Sequence, residues 1–260
     1  MNESIRQRYE NHYTNKVGAF IREIGEVNAD GIPEVHLPLW GRNYEKANLR
    51  TAFIGIDTLY WGNMAGFISE ARQNLQTAIF RGETIKFRDE ATFYQFGFTK
   101  GNNSDTFWNA VMEFLARFHD IPDWYELKRG QHEEILSSFV WAESNAVERW
   151  KQQIEAAGAD HDVWQKLKTA SEQHLDSFSA ISDIFRPHVT IVMNWYADDY
   201  LDRYLPLRWE TIGDHVNYAF DDLRGNCVFN IAHPRWLIGS RRSETFKTIF
   251  NKWQTICNSQ

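Results

Sequence analysis

Four short apolar runs constrain the fold of this chain more than any other feature: residues 49–55, 135–142, 188–193 and 226–232. Each is of strand length, and the third, His188-Val189-Thr190-Ile191-Val192-Met193, is rich in the β-branched residues that suit a pleated surface. At least one stretch with helical spacing separates each run from the next. Strands joined through a crossover helix pair in parallel, whereas antiparallel neighbours need only a hairpin. The expected class is therefore α/β, a three-layer α/β/α sandwich on a mainly parallel four-stranded sheet.

The helical stretches follow from apolar spacing of three and four residues. Ile5, Tyr9, Tyr13, Val17, Ile21 and Ile24 predict an opening helix, followed by turn residues at 28–33 and a loop from Pro38 to Gly41. Met64, Phe67, Ile68, Ala71, Leu75 and Ile79 predict a second helix, closed by Arg81-Gly82. A third is capped by Ser104 or Asp105 and buries Phe107, Val111, Phe114, Leu115 and Phe118. Further helices are expected at 147–157 and at 163–185, the latter with Trp164, Leu167, Ser171, Leu175, Phe178 and Ile181 on one side. Ile212, Val216, Ala219 and Leu223 predict another, and Phe246, Ile249, Phe250, Trp253 and Ile256 a last one. No Pro/Gly/Ser-rich linker divides the 260 residues, so a single domain is expected, with an N-terminal helical extension over about residues 1–48.

Composition narrows the function classes. A hydrophobic content of 43% with 11 Trp is far from the signature of disorder. The N-terminus lacks an apolar signal region and the longest apolar runs are strand-sized, so a cytoplasmic protein with no membrane partner is expected. Cys227 and Cys257 can form at most one disulfide and cannot supply a four-cysteine metal or iron–sulfur site; reduced thiols, no metal and no cofactor are expected. The net charge of −7 opposes a generally nucleic-acid-coating surface. The tail differs: Arg224, Arg235, Arg241, Arg242, Lys247 and Lys252 stand against the single acid Glu244. That basic run is either a solvated helix face or a phosphate-binding surface. The acids Asp198, Asp199 and Asp202 suit a helix N-terminus better than a metal site. Phosphate-cradling Gly-x-x-x-x-Gly-Lys, dinucleotide-binding Gly-x-Gly-x-x-Gly, His-Glu-x-x-His and Gly-x-Ser-x-Gly motifs are absent from the sequence.

Each strand run hands a polar residue to what a parallel sheet would make one edge: Asp57 after the first, Asn145 after the second, Asn194 after the third and His233 after the fourth. Taken singly, each has an ordinary reading. Asp57 can cap the next helix, Asn145 can do the same, Asn194 can be structural and His233-Pro234 can be a turn. Their convergence gives the alternative, a site at the carboxyl ends of the strands.

In that order the pieces resemble the uracil-DNA glycosylase superfamily. Gly55-Ile56-Asp57-Thr58 is similar to the strand-end motif that delivers the family's catalytic Asp, and the run from Trp141 to Val147 to the strand ending in a base-reading Asn. The run from His188 to Trp195 resembles the third core strand, and His233-Pro234-Arg235-Trp236-Leu237 the closing His-Pro motif with its leucine-bearing loop. The resemblance spans roughly Arg50 to Arg242, and Gly55-Ile56-Asp57-Thr58-Leu59-Tyr60-Trp61-Gly62 looks closest to a branch carrying Gly-x-acid-Thr-x-x-Trp-Gly. Two departures stand out: Thr58-Leu59-Tyr60 replaces the Pro-Tyr-His of the best-known branch, and Arg235-Trp236 replaces Ser-Pro.

The resemblance implies a probe-ready chemistry. Hydrolysis of an N-glycosidic bond develops positive charge on the sugar and negative charge on the departing base. Asp57 would serve the sugar and its attacking water, and His233 would donate to the base. Asn145, with Gly55 and Ile56 at the strand end, would bind a base edge, and Trp61, Phe67 or Phe98 would stack on the flipped base. Arg235, Trp236 and Leu237 would enter the minor groove, with Arg241 and Arg242 on phosphates. The expectation is a monomeric, monofunctional DNA glycosylase acting on a damaged or deaminated, uracil-like base, with DNA as partner. The alternative is a catalytically inactive or repurposed module of the same fold that binds nucleic acid, nucleotide or a protein. A third reading is an unrelated α/β enzyme acting on a small molecule.

Overall fold

The computed structural model describes residues 4–56, 62–80, 105–147, 154–155, 158–194, 207–237 and 239–257. The strands are β1 (Leu39–Trp40), β2 (Thr51–Gly55), β3 (Phe139–Glu143), β4 (Val189–Asn194), β5 (Glu210–Gly213), β6 (Val216–Asp221) and β7 (Asn226–Ala232). The helices are α1 (Ile5–Ile24), α2 (Met64–Gln73), α3 (Leu75–Phe80), α4 (Asp105–Phe118), α5 (Tyr125–Lys128), α6 (Glu133–Leu136), α7 (His161–His174), α8 (Ser177–Ala180) and α9 (Ser240–Cys257). The protein is α/β, as expected. Its sheet is mixed and seven-stranded, in the order β1-β3-β2-β4-β7-β6-β5, rather than mainly parallel and four-stranded. The four predicted strands are β2, β3, β4 and β7, which are neighbours in that order. Among the described residues, no helix is long and apolar enough to cross a membrane.

The extra strands have local causes. Ile212, Val216, Ala219 and Leu223 fit a helical step, but the segment also alternates β-favouring residues, and it folds as the antiparallel hairpin β5–β6. The turn lies at Asp214-His215, where His215 takes a left-handed φ of 55°. Leu223, buried in the helical reading, is 91% exposed in the next turn, where the Asp221 carboxylate accepts the Leu223 N–H and the Asp221 carbonyl accepts the Gly225 N–H. The short β1 replaces the loop expected at Pro38–Gly41.

The chain divides into two compact units, one comprising Met1–Trp40, Ile56–Ala91 and Trp141–Phe185 and the other Gly41–Gly55, Thr92–Val140 and Arg186–Gln260. In the first unit α1 buries Ile5, Tyr9, Tyr13, Val17, Phe20 and Ile24, so Phe20 rather than Ile21 completes the stripe. Tyr9 joins an aromatic core, with ring centroids 4.6 Å from Tyr13, 4.8 Å from Trp40 and 5.5 Å from Phe80. Two helices predicted as continuous are broken by polar side chains that bond to the backbone instead of extending the helix. Asn74 leaves helical geometry between α2 and α3, and its side chain accepts the Thr77 N–H at 3.1 Å. Asp176 does the same between α7 and α8, accepting from Phe178 and Ser179, and a π-helical turn, Ile181–Phe185, follows. The predicted helix at 147–157 falls mostly outside the described residues.

In the second unit β2 pairs in parallel with β4 and β4 with β7, while β6 runs antiparallel to β7. Phe53 on β2 contacts Phe139 at 5.6 Å and Phe114 at 6.2 Å, and Phe114 stacks on Phe246 at 4.1 Å, so the sheet, α4 and α9 share one aromatic core. The strand predicted from Ile135 begins later, at Phe139. The first residues form α6, whose Glu133 carbonyl accepts the Ser137 hydroxyl at 2.7 Å.

Candidate functional site

In the first unit Ile56, the residue after β2, meets Ser144 and Asn145, which follow β3. The Ile56 carbonyl accepts three hydrogen bonds: from Asn145 Nδ2 at 2.8 Å, from the Ser144 hydroxyl at 3.1 Å and from the Asn145 N–H at 3.3 Å. All three residues are buried. A carbonyl only accepts, so this contact fixes the orientation of the Asn145 amide: Nδ2 faces Ile56, and Oδ1 is the acceptor end. Asp57 follows Ile56 directly and, like Trp61 and Phe98, lies outside the described residues. The capping role once open to Asp57 belongs to Asn63, whose side chain accepts the Gly66 N–H at 3.2 Å at the start of α2. Phe67, a candidate stacking residue, is buried on α2.

Sequence reasoning missed two polar residues in this unit. The segment from Ile32 to Trp40 is buried throughout and carries Glu34 and His36 between Pro33 and Pro38. The His36 N–H donates to the Ala146 carbonyl at 2.8 Å, and its ring lies 4.6 Å from that of Trp141. Trp141 Nε1 in turn donates to Glu143 Oε1 at 2.9 Å, holding a buried carboxylate two residues before Asn145. Glu34 packs on Gly62, where a Cβ would come within 2.5 Å of its Oε2. The available signal was an acid and a histidine two apart in an otherwise apolar, proline-bounded run. Among the described residues, no group of three or more His, Cys, Asp and Glu is arranged to hold a metal ion. A surface pocket lined by Val27, Asn28, Ala65, Ile68 and Arg72 contains none of the candidate residues.

In the second unit the parallel pairing of β2, β4 and β7 brings their carboxyl ends to one edge. Asn194, buried, is in register with Ala232, and His233 comes next. His233 begins a tight turn. Its carbonyl accepts the Trp236 N–H at 2.8 Å, the Pro234 carbonyl accepts the Leu237 N–H at 3.2 Å, and its ring Nδ1 accepts the Arg235 N–H at 3.2 Å. Burial, assisted by the Arg235 charge, lowers the His233 pKa to about 4. The imidazole is therefore neutral near pH 7, and with Nδ1 accepting, the proton sits on Nε2.

Three cations of the basic tail are held in ion pairs. Arg242 is bonded to Glu113 at 3.0 Å, and Arg117 reaches the same carboxylate at 3.2 Å. Lys252 pairs with Glu210 at 2.8 Å and Arg224 with Asp221 at 3.0 Å. Arg235, Arg241 and Lys247 are exposed. Leu237 is buried, and the apolar side chain that the turn offers to solvent is Trp236.

Comparison of the chain with protein-family models, with curated proteins and with solved structures found no match.

Proposed function

We propose that this protein is a monofunctional DNA glycosylase, similar in design to the uracil-DNA glycosylase superfamily, that hydrolyses the N-glycosidic bond of a damaged or deaminated base. The observation that carries the reading is the triple hydrogen bond on the Ile56 carbonyl, because it ties the residue before Asp57 to the Asn145 expected to read the base. In this reading Asp57 orients water and stabilises charge on the sugar. The neutral Nε2–H of His233 donates to the leaving base oxygen without needing a proton from bulk solvent. In this reading Asn145, held against Ile56, contacts an edge of the base. Arg235, Trp236 and Arg241 would contact DNA.

The test is release of free base from oligonucleotides containing uracil or hypoxanthine. Asp57→Asn should abolish release while DNA binding survives. No release across a broad panel of damaged bases, from folded protein, would reject the reading.

Two observations favour the second reading, a repurposed module that binds without cleaving. Arg242 is neutralised by Glu113, and Leu237 is packed inside, so two of the residues expected on DNA are engaged within the protein.

A further inference from the structure

At the amino ends of β2 and β4, Arg50 and His188 each stand one residue before the Thr51–Val189 pair of the parallel register. The two are tied through the main chain. The His188 N–H donates to the Arg50 carbonyl at 2.8 Å, and the Arg50 N–H donates to His188 Nδ1 at 3.2 Å. A main-chain N–H can only donate, so Nδ1 is the unprotonated nitrogen of the ring. Burial, assisted by the Arg50 charge, lowers the His188 pKa, which keeps the ring neutral near pH 7 with its proton on Nε2. That Nε2 lies 3.2 Å from Arg50 Nη2. A guanidinium also only donates, so two N–H groups face each other where one acceptor would serve both.

The charge is uncompensated as well. Among the described residues no carboxylate forms an ion pair with Arg50, and its Nε is buried without a hydrogen-bond partner. Withdrawing an unpaired charge from water is costly, and an oxyanion relieves that cost by accepting from the guanidinium fork. Arg50 and His188 are each only half-buried, which leaves the pair within reach of a small solute.

We propose that Arg50 and His188 form a binding site for a small oxyanion, a phosphate or carboxylate group, one oxygen of which accepts from both Arg50 Nη2 and His188 Nε2. The main-chain bonds hold the two donors in place before the anion arrives. The site lies at the opposite end of β4 from Asn194 and does not depend on the function proposed above.

The experiment follows the His188 ring nitrogens by NMR in the whole protein while inorganic phosphate, acetate or chloride is added at matched ionic strength. The ring should start as the Nε2–H tautomer and shift saturably with phosphate, acetate or both, but not with chloride. Saturation by phosphate alone assigns a phosphate ligand, and saturation by acetate alone a carboxylate. Arg50→Gln, which keeps the main-chain bond to Nδ1, should lose the saturable shift, and Arg50→Lys, with the charge but not the fork, should show a weakened one. An Nδ1–H tautomer, a response no different from that to chloride, or Arg50→Gln protein that binds as wild type does, overturns the proposal. The tautomer and the chloride comparison need wild-type protein alone, so they decide the matter whether or not the variants fold.

Discussion

The side-chain amide of Asn145 donates to the main-chain carbonyl of Ile56 at 2.8 Å, joining the segment after β3 to the end of β2. This bond does two things at once. It satisfies a buried carbonyl at a strand end, and it fixes which end of the Asn145 amide is the donor.

Removing that donor should cost stability. Asn145→Ala is expected to destabilise the protein by about 1–3 kcal/mol, because the buried Ile56 carbonyl loses its shortest hydrogen bond. Asn145→Asp should be worse near pH 7, since a carboxylate there faces a carbonyl it cannot donate to. Urea unfolding midpoints measure both, and equal stability of the two variants would contradict the fixed amide orientation.

The depressed His233 pKa predicts a pH dependence of folding. The unfolded chain takes up the proton at the ordinary histidine value of about 6.5, and the folded protein only at about 4. Between those values the unfolded state binds more protons, so stability rises with pH across this window and is lost as pH falls through it. The contribution of this one group is at most roughly 3 kcal/mol. His233→Asn should flatten the stability profile between about pH 4 and 6.5 relative to wild type. If base release is observed, its rate should not fall on raising the pH through 6.5, as it would if an imidazolium were the donor.

The two neighbours in the turn after β7 should respond oppositely. Leu237→Ala removes a buried side chain and should cost about 2–4 kcal/mol, whereas Trp236→Ala, changing an exposed one, should stay within about 0.5 kcal/mol of wild type. Thermal melts of the two variants decide it, and a reversal would mean that the indole is the anchor.

Gly62 sits at a φ of 60°, pressed against Glu34. Gly62→Ala combines left-handed strain with a clash and should destabilise by about 1–3 kcal/mol. Adding Glu34→Ala should recover part of that loss, since the clash lies with the Glu34 side chain. Additive effects in a double-mutant cycle would show that backbone strain alone is responsible.

The sequence alone determined the elements whose signal is local. The runs that became β2, β4 and β7 are apolar and β-rich along their whole length, and α1 and α9 carry apolar spacing that a neighbour need only cover. It also pointed to Asn145 and His233 as polar residues that follow soon after strands. Tertiary structure decided what local spacing leaves degenerate. Ile212, Val216 and Ala219 fit a helix as well as a hairpin, and pairing of β6 with β7 selects the hairpin. Nothing in the order Trp236-Leu237 says which side chain is buried, and Arg242 reads as a free cation until α4 supplies Glu113. The roles of Glu34 and His36 depend on Gly62 and Trp141, far away in the chain. A periodic pattern reports which faces prefer burial; which groups meet there depends on contacts between residues distant in sequence.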